Sequence, residues 1–267
     1  MKVVNLEGKK VKEIDLPRQF SEPYHPNLIK RAVLVIQNNK RQPYGTAPRA
    51  GLRYSSTLSK RRRAYRGSYG KGISRTPRKV MWRRGSQFGY VGATAPGTRG
   101  GRKAHPPKAE KDFSKKINIK ERRKAIRSAL SATFNLDLIK KRNHQIPIEF
   151  PFVIEDKFES LEKTKDVENI LNKLGFEKEL KRCEKKKVRA GKGKTRWRKY
   201  KKKTGPLIVV SKDCKITKSA VNIPGVDIVN VKNINAELLA PGTHAGRLTI
   251  YTESALNRME KEKLFAK

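Results

Sequence analysis

The sequence predicts an α/β fold: a doubly wound, mostly parallel sheet into which a long extended basic loop is inserted. Two observations lead there. From residue 112 onward, short apolar runs alternate with stretches of helical spacing, the pattern of a parallel sheet with helices on its faces. Between residues 41 and 109 that pattern stops, and the stretch holds eighteen Lys and Arg, no Asp or Glu, and eleven glycines. The expected division is a globular α/β domain of residues 1–40 and 112–267, with the loop spanning 41–111 and a second basic segment at 181–203.

Taken in order, KVVNL and KVKEIDL read as two short strands joined by a turn at Glu7-Gly8. From Asn27 to Lys40, Leu28, Ala32, Val35 and Ile36 follow helical spacing behind Pro26. The β-branched run VLVI fits a strand as well, and the spacing does not decide between them. Beyond the loop, Asn118 and Glu121 have capping-box spacing, and Ile119, Ile126, Ala129, Leu130 and Phe134 line one face of a helix. Its other face carries Lys120, Arg122, Arg123, Lys124 and Arg127, either solvated or set against phosphate. Residues 148–154 (IEFPFVI) read as a buried strand, with Pro151 in its middle pointing to an edge or a bulge. Val167, Ile170, Leu171 and Leu174 make an amphipathic helix stopped by Gly175. LIVV (207–210), VDIVNV (226–231) and RLTIY (247–251) are further strands. A helix through Ser219, Ala220 and Val221 and a closing helix bearing Ala255, Leu256, Met259 and Leu264 complete the alternation.

The basic loop is punctuated by Gly and Pro, so neither a helix nor a sheet ladder is expected to run far in it. Its few apolar residues show no period and cannot offset an ordering cost of about 1–2 kcal/mol per residue. Such a segment folds on a partner. The partner must be densely anionic and offer planar surfaces, because Tyr44, Tyr54, Tyr65, Tyr69, Trp82, Phe88 and Tyr90 are threaded among the arginines. A solvated linker has little use for seven rings. The candidate RNA contacts in the loop are Arg41, Arg49, Arg53, Lys60, Arg61, Arg62, Arg63, Arg66, Arg78, Lys79, Trp82, Arg83, Arg84, Arg99, Arg102 and Lys103. The second segment sets fourteen Lys and Arg against Glu184 alone, and Lys186, Arg189, Lys192, Arg196, Trp197 and Arg198 are its candidates. Its lysine-rich character suits point-charge phosphate contacts more than bidentate recognition.

A formal net charge of +41 over 267 residues disfavours a compact free protein unless a polyanion neutralises it. No apolar run approaches the roughly 18 residues of a membrane span, and the N-terminus has no signal-peptide core. Cys183 and Cys214 form no Cys-x-x-Cys pattern, so neither a disulfide scaffold nor a zinc site is expected. Gly191-Lys-Gly-Lys-Thr195 ends like a phosphate-binding loop but has Val188 where the first glycine belongs and no strand leading in. Gly70-Lys-Gly72 begins like a dinucleotide motif but has Arg75 at its third glycine position. His25, His105, His144 and His244 are scattered without ligand spacing, and no serine sits in a nucleophile elbow. No catalytic residue, cofactor, metal, membrane contact or homo-oligomer is expected. An RNA-modifying enzyme would need a glycine-rich cofactor loop after the first strand; a DNA-compacting protein would discriminate little between duplex DNA and folded RNA.

Five blocks carry a resemblance: YGKGISRTPR (69–78), GTRGGR (97–102), NIKERRKAIRSALSATF (118–134), PGVDIVNV (224–231) and LAPGTHAGRLTIYTESAL (239–256). Together they closely resemble the universal L-four family of the large ribosomal subunit, in its archaeal and eukaryotic branch, over essentially the whole chain. The resemblance implies a structural, non-catalytic constituent of the cytoplasmic ribosome. It implies an α/β domain on the subunit surface and a loop threading ribosomal RNA to the wall of the peptide exit tunnel. It puts the loop tip at Tyr69, Gly70, Lys71, Gly72, Ile73 and Arg75, with Tyr69 and Lys71 departing from bacterial members. The implied partners are large-subunit ribosomal RNA, neighbouring subunit proteins and the nascent peptide at the tip, with a role in subunit assembly. The 181–203 segment resembles an insertion of the same branch.

Overall fold

The computed structural model describes residues 1–64, 67–85 and 87–266. The chain divides into two compact units, Met1–Lys40 with Ser114–Lys267, and Arg41–Phe113. The first unit opens with strands β1 (Lys2–Val4) and β2 (Lys10–Glu13) and helix α1 (Pro26–Asn39). The second unit contributes β3 (Arg78–Arg84) and β4 (Gln87–Gly92). The first unit resumes with α2 (Ile119–Ala132), α3 (Leu136–Lys141), β5 (Phe152–Ile154), α4 (Thr164–Lys173) and α5 (Glu177–Glu184). It continues through β6 (Lys187–Val188), β7 (Tyr200–Lys201), β8 (Leu207–Val210) and α6 (Ile216–Ser219). It closes with β9 (Asp227–Asn230), α7 (Ala236–Leu239), β10 (Thr249–Thr252) and α8 (Glu253–Lys261).

The central sheet has six strands in the order β2-β1-β5-β10-β8-β9. Every neighbouring pair is parallel except β1 with the edge strand β2. Successive residues of a strand point to opposite faces. Leu207 and Val209 of β8 accordingly join Val3, Val153 and Tyr251 in a core under α1, α2 and α8. Ile208 and Val210 join Val4, Phe152, Ile154 and Ile250 in a second core under α4, α5 and α6. Strands buried on both faces read as continuous apolar runs, which is why LIVV was visible as a strand. In the first core the rings of Phe20, Phe134 and Tyr251 cluster with centroids 5.1–5.6 Å apart, and the Tyr251 hydroxyl lies 3.1 Å from Thr133 Oγ1.

Several elements correct the sequence reading. The ambiguous VLVI run is helical: Ile29, Ala32, Val33 and Val35 are buried, with Pro26 as the first helical residue. Asn118 sits at the N-cap of α2 without a side-chain cap bond, and Glu121 pairs with Arg31 at 2.8 Å instead of closing a capping box. Ile119 is exposed, while Arg127, assigned to the polar face, is buried against Glu22 at 2.9 Å and donates to the Phe265 carbonyl. Strand β5 begins only beyond Pro151, whose missing N–H cannot join a ladder, and it lies inside the sheet rather than at an edge. Ile148 is fully exposed. Helix α6 ends before Ala220, and Val221 is exposed. The second unit holds more regular structure than its Gly and Pro content suggests. Strands β3 and β4 form an antiparallel hairpin in register from Arg78↔Gly92 to Arg84↔Gln87, with an irregularity between Val80 and Trp82. Val80 faces Tyr90 across the ladder, a β-branched and aromatic pair, and Phe88 stacks on Tyr90 along β4.

Candidate nucleic-acid interface

In the second unit the sequence-predicted cations and rings lie on one another. Arg41 sits 4.4 Å from the Phe113 ring centre and 5.4 Å from Tyr44, and those two rings stack. Lys79 lies 3.7 Å over Tyr54, and Arg83 lies 5.5 Å from Phe88 while donating to the Gly85 carbonyl. Trp82 crosses its hairpin partner Gly89 so closely that a Cβ there would lie 2.2 Å from the indole nitrogen, so any larger residue would have to push the indole aside. Arg49, Arg53, Lys60, Arg61, Arg62, Arg63, Arg84, Arg99, Arg102 and Lys103 are exposed. Arg78 is half-buried and spent locally, donating to the Ser74 and Thr76 carbonyls and the Ser74 hydroxyl. Arg66 and Tyr65 lie outside the described residues.

Residues 69–75 form a chain reversal. Gly70 (φ +74°) and Gly72 (φ +65°) both adopt left-handed backbone with nothing near the position of a Cβ. Tyr69 is held between Arg62 and Arg75, 4.9 and 5.0 Å from its ring centre, and its hydroxyl accepts from Arg62 Nη2 at 2.9 Å. Lys71 and Ile73 are exposed between them.

The second basic segment is a ribbon rooted in the core by buried charge. Its first residues, Lys181 and Arg182, belong to α5, which sequence reasoning missed. Arg182 donates to the Glu179 carboxylate at 2.6 and 2.7 Å and to the Thr204 carbonyl at 2.7 Å, so it anchors the ribbon's return and is not a surface contact. Glu179 is completely buried and also accepts from the Gln145 N–H and from His144 Nδ1, 2.6 Å away. Burial pushes its carboxyl up, but the bonds from Arg182, His144 and Gln145 outweigh it and hold the group below the usual carboxylate range. Burial holds His144 below its ordinary value despite Glu179, so the ring is neutral. At the ribbon's exit, Gly205 and Gly225 (φ +80°) pass so close to Cys183 that a Cβ on either would lie 2.7 Å from its side chain. Arg247 Nε then donates to the Gly205 carbonyl at 2.9 Å. Between these roots β6 pairs with β7. Lys186, Lys192, Arg196, Trp197 and Arg198 are exposed, whereas half-buried Arg189 is spent as a strut, donating to the Arg198 and Tyr200 carbonyls.

The carboxyl ends of β5, β10 and β8 are where open α/β sheets take ligands. Here Glu159, on the turn after β5, fills the crevice. Its carboxylate accepts from the Ser211 N–H and hydroxyl (2.9 and 2.8 Å), Thr252 Oγ1 (2.6 Å), Ser254 Oγ (2.9 Å) and Cys214 Sγ (3.0 Å). Burial raises its pKa, but these bonds prevail and keep it below the ordinary range. Burial and Glu159 push the Cys214 thiol to about 11, and burial pushes Cys183 to about 11, so neither is a thiolate nucleophile at neutral pH. Among the described residues no three His, Cys, Asp or Glu are grouped to hold a metal, and no helix is long and apolar enough to cross a membrane.

The molecule is thus a strongly basic α/β protein that carries its exposed chemistry on cationic, ring-bearing segments and not in the crevice of its sheet. The ribosomal protein L4/L1 family matches residues 14–262, and the chain belongs to that family. It is 52% identical to large ribosomal subunit protein uL4 of Nanoarchaeum equitans over 98% of this chain and 97% of that one. It is 46% identical to uL4 of Methanococcoides burtonii (97% and 96%) and 44% identical to uL4 of Archaeoglobus fulgidus (96% of each).

Proposed function

We propose that the chain is a structural constituent of the large ribosomal subunit in the cytoplasm, binding ribosomal RNA through residues 41–113 and the ribbon and supporting subunit assembly. The observation that carries this is nearly full-length similarity to relatives named for that subunit. Exposed cations and rings on both basic segments, and a sheet crevice already filled by Glu159, support it. Arg and Lys offset phosphate repulsion where RNA helices converge, and glycines let the backbone pass narrow gaps. Neighbouring subunit proteins would share the surface of the α/β unit. In the assembled particle residues 41–111 act as an extended loop reaching the exit tunnel. Half of that 71-residue stretch spans at most about 115–130 Å, so reach allows that position. The reversal at 69–75 then faces the tunnel and the nascent peptide.

The native protein is expected to sediment with large ribosomal particles at moderate salt. Ala at Lys71 or at Arg75 should leave assembly nearly intact while altering crosslinking to nascent chains. Ala at Arg61, Arg62 and Arg63 together should impair assembly instead. Absence from the particles overturns the ribosomal reading; unaltered crosslinking with both tip variants overturns the tip assignment alone.

A further inference from the structure

Trp197 is more exposed than the other large apolar side chains of the ribbon, Val188 and Tyr200, with its whole surface in solvent. Its backbone is left-handed (φ +61°), a region bulky side chains rarely enter. The loop that holds it there is buttressed. Gly193 O accepts from the N–H groups of both Arg196 (3.2 Å) and Arg198 (3.0 Å), one on each side of Trp197. Arg189 Nε donates to the Arg198 carbonyl at 3.0 Å, and the Arg189 N–H continues the ladder to Lys199 O at 2.8 Å. Gly193 leaves room for the Arg189 stem, which a Cβ there would meet at 2.6 Å. The indole is therefore projected by a fixed loop and not by a loose one.

Its surroundings set it apart. Tyr44, Tyr54 and Tyr69 each have a cation of the chain against the ring, and in the ribbon itself Tyr200 has Lys186 and Lys199. Trp82 lies across Gly89. Among the described residues no ring or cation lies on Trp197. Lys192, Lys194, Arg196, Arg198 and Lys199 surround it in sequence, all exposed and with no acid among them. An apolar surface in that setting fits a partner that is planar and flanked by negative charge on both sides.

We propose that Trp197 is a stacking platform for one unpaired base of structured RNA, with Arg196 and Arg198 engaging the flanking phosphates. The assignment rests on the RNA-binding reading above and adds the class of nucleotide recognised. A duplex offers no free base face to the indole, so the site discriminates against it.

The test uses the full chain carrying W82F, so that Trp197 is the sole tryptophan, with a short oligoadenylate and an RNA duplex of equal length as probes over a salt series. The oligoadenylate should quench Trp197 fluorescence and the duplex should not. Adding W197A should weaken oligoadenylate binding about 5- to 150-fold, the range of one stacked base, by a factor that does not change with salt. W197F should recover most of the loss, and duplex affinity should not move. Trp197 is fully exposed, so these variants fold. Absence of quenching, equal oligoadenylate affinity for W197A, or equal weakening on both probes overturns the stacking assignment and leaves RNA binding standing. An unsubstituted chain that binds neither probe overturns the RNA reading itself.

Discussion

Arg247 offers a quantitative check on what holds the ribbon's root. Its guanidinium is 1% exposed and donates to the Gly205 carbonyl (Nε, 2.9 Å), the Leu238 carbonyl (Nη1, 3.0 Å) and the Asp227 carboxylate. Burial holds its pKa below the ordinary arginine value, so desolvation consumes part of what the bonds supply. Arg247→Met keeps most of the aliphatic stem but leaves two carbonyls short of a donor, at about 1–3 kcal/mol each. The Asp227 side chain is 53% exposed and can turn to water, so its loss of a partner is screened. The expected cost is therefore about 3 kcal/mol, the lower end for breaking a buried pair. Asp227→Asn, which keeps both carbonyl bonds and an amide oxygen for the guanidinium but removes its counter-charge, should cost less, about 1–2 kcal/mol. Urea unfolding of the full chain, followed by circular dichroism, measures both. If D227N costs as much as R247M, or R247M costs under about 1 kcal/mol, the carbonyl bonds are not what makes Arg247 matter.

Deleting residues 41–113 should flatten the log–log salt dependence of ribosomal RNA binding more than deleting 185–203, since each neutralised phosphate contributes roughly 0.7–0.9 to the slope; equal slopes for the two deletions would place the main phosphate contacts elsewhere. Stability should fall in two stages as pH drops. Below the ordinary histidine value of about 6.5 the unfolded chain binds a proton that buried His144 refuses, so stability is lost until the lowered folded pKa is passed. Glu179 and Glu159, both held low, contribute stability above the ordinary carboxylate pKa that is lost as pH falls through their folded values. In a melting-temperature series, His144→Gln should abolish the first stage, while the second persists through Glu159, which His144 does not touch; an unchanged first stage would show that another group carries it.

The parallel core was legible because β8 is buried on both faces and α4 ends at Gly175, a left-handed glycine (φ +86°). Both signals are local. The β3–β4 hairpin was not, because its alternation of Val80, Trp82, Phe88 and Tyr90 is diluted by arginines that in an ordinary strand would mark solvent. Arg127, Arg182 and Arg247 carry no mark of burial in their local sequence. Their burial depends on acceptors such as Glu22 and Thr204, which lie 105 and 22 positions away. The chain reversal at residues 69–75 was legible from Gly70 and Gly72, yet the left-handed backbone of Trp197 has no signature in the sequence around it.

The cations lying on Tyr44, Tyr54 and Tyr69 have a consequence for how tightly the second unit would bind RNA under the proposed function. A base that stacks on the covered face of such a ring has to displace the guanidinium or ammonium that lies there. The displaced cation is then released beside the phosphate of that same nucleotide. Stacking and charge neutralisation become one event counted once, and its net gain is smaller than the two terms added separately. Under the proposed function the strength of binding at each such face is set by the difference between the cation's contact and the base's, and Tyr69, with Arg62 and Arg75 both against it, has the most to give up.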